Sequence, residues 1–284
     1  MTKRKMPFTL VELLVAIALL SLIVMLLLQL FGGAQKIWIT SEKTNNLYAN
    51  ARVAMETMAD LINTVQFSHG EKNDGTRDKT KDMIFSLDSK SEDDGYDSNS
   101  IIFVAKTARD LPMKDNTTRF ISFRLGDSGD EKTRGKLFMV VYSDKINEKT
   151  FYSLFPTYGS GSRGTALTSL KSHMNSLVTD YKNSSSSSGE NENCQVIAEN
   201  VVALKINAYV LNSSGKLEKK KSTDSDAGDI AEPPYMIEIQ LTVLDPDSYK
   251  RWLELDRDAA YLNQHKRTFT RGIHIGPRWD LETK

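Results

Sequence analysis

The sequence predicts an α+β protein. A long N-terminal helix, membrane-spanning in its first half and amphipathic in its second, packs on a head of mostly antiparallel strands. Three observations predict it. Apolar residues crowd into the stretch from Phe8 to Phe31. A stripe of apolar residues at steps of three and four follows, the mark of a half-buried helix. After residue 68, short β-rich runs alternate with Gly, Asp, Asn and Lys turns, the mark of strands. Helix first and strands after is the α+β order.

Composition narrows the function. Lys+Arg and Asp+Glu both number 37 in 284 residues, so the formal charge is zero. That balance excludes the bulk basicity of a nucleic-acid binder, and no nucleic-acid partner is expected. Cys194 is the only cysteine, so neither an internal disulfide nor a Cys-rich zinc site is expected. The four histidines, His69, His173, His265 and His274, are not closely paired, which argues against metal catalysis.

The elements follow in order. Residues 1–7 form a basic leader, with Lys3, Arg4 and Lys5 and no acid. Residues 8–31 carry one charge, Glu12. As a helix they extend about 36 Å, enough to cross a hydrocarbon core of about 30 Å. The leader's cations keep the N-terminus cytoplasmic and send the rest of the chain across, as a single pass. Three fates fit such an N-terminus. One is a secretory signal cut after Ala34, although such signals have apolar runs of only about 7–15 residues. Another is an uncleaved anchor. The last is removal of the leader between Pro7 and Phe8. Only the last gives Glu12 a task, because a carboxylate in a span costs up to about 2.5–3.5 kcal/mol. A new α-amine on Phe8, with an ordinary pKa of about 7.7–8.0, would pair with the Glu12 of a neighbouring subunit. The plainer account of Glu12 is a side chain snorkelling to the membrane edge.

Residues 32–67 continue as an amphipathic helix. Its stripe is Leu47, Ala51, Ala54/Met55, Met58, Leu61/Ile62 and Val65, and Gly32-Gly33 mark a place for a bend. The head occupies 68–284. It opens with an acidic loop at 68–99, then strands at Ile101–Lys106, Arg119–Leu125, Leu137–Tyr142 and Phe151–Phe155. A second flexible loop covers 157–193, with a short helical pattern (Leu167, Leu170, Met174, Leu177) and a serine run at 184–188. Strands at Val196–Val210 and Tyr235–Leu244, a charged helix from Ser248 to His265, and a last strand at Thr268–Ile275 complete the chain.

Phe8-Thr-Leu-Val-Glu12-Leu-Leu-Val, behind a short basic leader and ahead of a long apolar helix, resembles the prepilin signature of type IV pilins and type II secretion pseudopilins. The resemblance implies a pilin-like fold and cleavage before Phe8 by a prepilin peptidase, which also N-methylates Phe8. It implies that Glu12 guides assembly. The family has Gly, sometimes Ala, before the cut; this chain has Pro7, which fixes φ and removes an N–H. Three inner motifs are similar to the prepilin-like protein C family of a gene cassette typical of Verrucomicrobia. They are Gln35-Lys-Ile-Trp38, Ala51-Arg-Val-Ala-Met-Glu-Thr-Met58 and Ala198-Glu-Asn-Val-Val-Ala-Leu204. The stretches Tyr235–Tyr249 and Phe269–Trp279 are similar to it too, and the layout looks more loosely like minor pseudopilin J. The implied partners are other pilin or pseudopilin subunits, an inner-membrane assembly platform and membrane lipid. The implied place is the inner (cytoplasmic) membrane, with the head periplasmic or extracellular. A membrane-anchored periplasmic binding module that never polymerises is the alternative.

Other motifs carry less. Gly159-Ser-Gly161-Ser-Arg-Gly164 fits G-x-G-x-x-G, but Pro156 and the serine run stand where a dinucleotide site needs flanking strands. Asp224, Asp226 and Asp229, and the run Glu92-Asp93-Asp94-Gly95-Tyr96-Asp97, offer oxygens for calcium without EF-hand spacing; solvated turns account for both. No nucleophile–base pair is nameable, so neither catalysis nor a cofactor is expected. Trp38 falls at headgroup level past the span, and Trp252 and Trp279 are expected in packing roles.

Overall fold

The computed structural model describes residues 10–65, 85–91, 97–106, 118–142, 163–183, 194–212, 214–220 and 234–275. The chain divides into two compact units, Met1–Tyr48 and Ala49–Lys284. Helix α1, Leu10–Asn63, belongs to both and is unbroken through Gly32 and Gly33. It ends at Asn63, where Thr64 turns back to bond the Leu61 carbonyl. The helical stripe therefore stops short of residue 67, and Val65 already bridges to Ala105 as strand.

Among the described residues the second unit is a nine-stranded sheet with helices. Its strands are β1 Phe85–Ser91, β2 Asp97–Lys106, β3 Thr118–Leu125, β4 Leu137–Tyr142 and β5 Cys194–Ala198. β6 Val201–Leu211, β7 Leu217–Lys220, β8 Met236–Val243 and β9 Arg267–His274 follow. The order is β5-β4-β3-β2-β6-β8-β9, with β1 on β2 and β7 on β6. All pairs are antiparallel except β2 with β6, which meet at Ser98↔Leu204. The sheet is thus two antiparallel halves joined by one parallel bridge.

Alternation explains the core. On one face of the first half, Ile102, Val104, Phe120, Phe138, Val140 and Tyr142 are buried with Cys194. Helix α2, Arg163–Asn183, covers them with Leu170, Met174 and Leu177 at steps of four and three. Tyr142 stacks edge-on against His173, Phe138 against Tyr181, and Arg124 bonds Asn175. The opposite face buries Phe103, Ile121 and Phe123, and in the same unit α1 buries Ala51, Ala54, Met55, Met58 and Ile62. In the second half Ile237, Ile239, Leu241 and Val243 are buried, with Leu204 and Ile206 beside them across the β6–β8 register.

Several expectations need correction. The loop at 68–99 contains β1 and the start of β2, an antiparallel hairpin in which Phe85 faces Phe103. Its acidic surroundings masked a run, Phe85-Ser-Leu87, that is fully buried. The loop at 157–193 contains the 21-residue helix α2. A single strand from Val196 to Val210 is instead β5 and β6, broken at Glu199-Asn200 where Asn200 takes φ 57°. Asn tolerates that left-handed geometry better than most residues. The helix from Ser248 to His265 is two, α3 Pro246–Glu254 and α4 Ala259–His265. Between them Asp256 and Arg257 both take positive φ, at 51° and 62°, and Arg257 Nη2 donates to the Ser128 carbonyl at 2.8 Å. Strand β7 has no counterpart in the sequence reading. The strand at Phe151–Phe155 lies outside the described residues.

Candidate functional site

The first unit holds the residues for which sequence analysis expects a function. From Leu10 to Gln35 the only charged residue is Glu12. The large apolar side chains along this stretch are all exposed, from Leu10 at 76% to Phe31 at 66%. One 18-residue window of α1 is long and apolar enough to cross a membrane, and none of it is buried. Leu10 to Phe31 extends about 33 Å as a helix, against about 30 Å of hydrocarbon. Ser21, inside this stretch, donates its hydroxyl to the Ile17 carbonyl at 2.8 Å, so its polar group is satisfied within the helix.

Glu12 lies two residues into the described part of α1 and is exposed. Pro7 and Phe8 lie outside the described residues. Past the apolar stretch, Ile37 and Trp38 remain exposed at 72% and 73%. Thr40 and Thr44 bond the carbonyls of Lys36 and Thr40, each at 2.9 Å. A Cβ at Gly32 or Gly33 would meet nothing within 4 Å. Helix propensity alone favours Ala at both by about 1 kcal/mol.

The weaker candidates fare differently. Asp224, Asp226 and Asp229 lie outside the described residues, as do Glu92 to Tyr96 and Trp279; Asp97 begins β2. Among the described residues no three His, Cys, Asp or Glu side chains are grouped to hold a metal ion. Of the glycine motif only Arg163 and Gly164 are described, at the start of α2. Trp252 is fully buried beside Tyr249. Cys194 is buried against α2, and that burial pushes its thiol up to about 12, which leaves no thiolate at neutral pH.

One polar cluster escaped the sequence reading. On the β6–β8 face opposite the core, Asn207 Nδ2 and Tyr209 Oη both donate to Glu238 Oε2, at 2.9 and 3.1 Å. The Asn207 hydrogen bond, against partial burial and with help from Tyr209, holds the Glu238 carboxyl below its ordinary range. Alternation puts 207 and 209 on one face, but only the register Asn207↔Glu238 brings the acid to them. The cluster contains no base–nucleophile pair and braces two strands.

No family model matches the chain, and no curated protein matches it. Among solved structures it aligns with a chain of the GspK-GspI-GspJ complex from the type 2 secretion system of enterotoxigenic Escherichia coli. The TM-score is 0.35 and the identity 9%, over 81% of this chain and 99% of that one. A score of that size bears on neither fold nor function.

Proposed function

We propose that the chain is a prepilin-like structural subunit. A prepilin peptidase cuts it between Pro7 and Phe8 and methylates the new terminus. Helix α1 then assembles it into a filament of the type II secretion or type IV pilus kind. The observation that carries this reading is the stretch Leu10–Phe31 of α1, whose apolar side chains are exposed along about 33 Å and whose single charge is the Glu12 carboxylate near its start. The prepilin-like sequence around Phe8 and Glu12 supports it. A carboxylate in hydrocarbon is costly, and pairing Glu12 with an α-amine of the next subunit leaves no net charge behind. That pairing fixes the axial stagger between neighbouring helices. The head contributes a folded surface outside the membrane. In this reading the partners are other pilin or pseudopilin subunits, the peptidase, an inner-membrane platform and lipid, and the place is the inner membrane with the head beyond it.

Glu12→Leu tests the proposal in membranes that also contain the partner subunits. The variant should insert as the wild type does, by resistance to alkaline extraction, yet lose crosslinking between α1 helices. The N-terminus of the native protein, read by mass, should be N-methylated Phe8. If Glu12→Leu crosslinks normally and the chain begins at Met1, the span is only a tether and the binding-module reading takes over.

A further inference from the structure

Among the described residues of the second unit, the large apolar side chains left exposed are Val53, Leu211, Leu217 and Leu255. Two of them adjoin. Leu211 and Leu217 are register partners where β6 meets β7, at 49% and 47% exposure. Residues directly opposite in an antiparallel pair share a face, so the two leucines form one apolar tip. Surface apolar residues scattered singly are ordinary; this pair is contiguous and comes with charge.

The turn that carries the leucines is held by its own polar groups. Asn212 Oδ1 accepts from the Ser214 N–H at 3.1 Å, the Ser214 hydroxyl at 2.7 Å and the Lys216 N–H at 2.9 Å. The Asn212 N–H donates to the Lys216 carbonyl and the Gly215 N–H to the Asn212 carbonyl, each at 2.9 Å. Gly215 takes φ 74°, where a side chain would be strained. Groups already bonded within the turn lower the cost of carrying it out of bulk water.

From Leu211 to Lys220 the cations are Lys216, Lys219 and Lys220, and the one acid is Glu218. Alternation puts Lys219, the partner of Tyr209, on the face of the leucines and Glu218, the partner of Val210, on the other. The Lys219 charge also acts on Glu238, which answers part of it. Lys216 is exposed beside Leu217. An apolar tip flanked by lysines complements an anionic lipid surface, where leucines enter the headgroup layer and lysine stems reach to the phosphates. A protein is the poorer fit. A stable interface takes about 20–30 residues a side, and the exposed residues here are Leu211 and the run 214–219.

We propose that the β6–β7 tip docks the head onto anionic lipid, with Leu211 and Leu217 in the headgroup layer and Lys216 and Lys219 against lipid phosphate. This docking rests on the reading of α1 as a span only for the nearness of a bilayer, which tethering supplies at high effective concentration. It is independent of filament assembly.

The test uses the full chain in vesicles of phosphatidylcholine alone or of an equal mixture with phosphatidylglycerol. Ser214→Cys carries a polarity-sensitive fluorophore, and Cys194, being buried, stays unlabelled in the folded head. Nitroxide-bearing lipid should quench the fluorophore in the mixed vesicles and not in phosphatidylcholine, and salt should reverse the quenching. Lys216→Gln should lower the docked-to-undocked ratio about fivefold, and Leu211→Ser with Leu217→Ser should abolish the quenching. The lipid and salt comparisons need no further substitution, so they decide even where a variant fails to fold. Quenching that persists with Glu12→Leu supports the docking without the filament. Alkaline extraction of the same vesicles reads the span. A chain that is stripped out yet quenched by added mixed vesicles keeps the docking and loses the span; a chain that is retained but not quenched overturns the docking and leaves the span. Equal quenching in both lipids overturns it, as does a blue shift that nitroxide lipid does not quench, which marks contact with a second copy of the chain.

Discussion

The two ends of helix α1 obey the same local rules and opposite burial rules. Between Leu10 and Ile39 its apolar side chains are exposed; between Ala51 and Ile62 one face, Ala51, Ala54, Met55, Met58, Ala59 and Ile62, is buried while Val53 stays exposed. The first stretch is far more apolar than the second, so the most hydrophobic part of the chain is the part its own fold does not cover. In water, burying one such Leu is worth about 1.5–3 kcal/mol, and a chain that could bury them would. Their exposure fits a helix long and apolar enough to cross a membrane along this stretch. The second unit, by contrast, encloses its large apolar side chains, with Phe103, Phe123 and Phe138 fully buried.

The largest effect should come from trading one region against the other. Phe123→Ala should cost the head about 3–5 kcal/mol, since the ring is wholly enclosed and leaves a cavity. Leu20→Ala removes a comparable side chain that is 61% exposed, and should shift head stability by less than about 0.5 kcal/mol. Urea unfolding of the full chain in detergent, followed by tryptophan fluorescence, reads both. If Leu20→Ala destabilises the head as Phe123→Ala does, the contrast between the regions is wrong.

A smaller effect should single out a backbone position. Gly135 sits at φ 73° in the turn between β3 and β4, and a Cβ there would overlap the Tyr249 hydroxyl and ring. Gly135→Ala should cost about 2–3 kcal/mol, from left-handed strain plus the displacement of a packed ring. Gly33→Ala, where a Cβ meets nothing, should leave the head untouched. The same unfolding curves decide it.

How much of this was readable follows from which forces are local. The α+β class, the strands β2, β3, β4, β8 and β9, and the buried stripe of α1 were all legible, because each repeats a period of two or near 3.6 within one segment. Glu12 was legible as the one charge in an apolar run. The breaks were not: Asn200, Asp256 and Arg257 adopt positive φ without being glycine, and the hydrogen bond from Arg257 to Ser128 crosses 129 positions. β1 was hidden because its burial comes from pairing with β2, whereas its neighbours in sequence are acidic. The Glu238 cluster depends on strand register, which no single segment encodes.

The smallest effect should fall on the Tyr249 hydroxyl. It is buried, and among the described residues it has no hydrogen-bond partner, although the ring around it packs on Trp252 and Gly135. Tyr249→Phe removes a desolvated polar group and keeps the ring, so it should leave the head as stable or stabilise it by up to about 1 kcal/mol at neutral pH. Burial pushes the Tyr249 pKa up to about 12, with the Arg134 charge opposing, against about 10 in an unfolded chain. The folded state therefore favours the neutral phenol. That preference costs nothing below about pH 10 and removes stability as pH rises from 10 through 12. Tyr249→Phe should thus gain on the wild type as the solution is made alkaline. Equal alkaline losses in Tyr249→Phe and the wild type would mean that this hydroxyl finds a partner or water in the folded head.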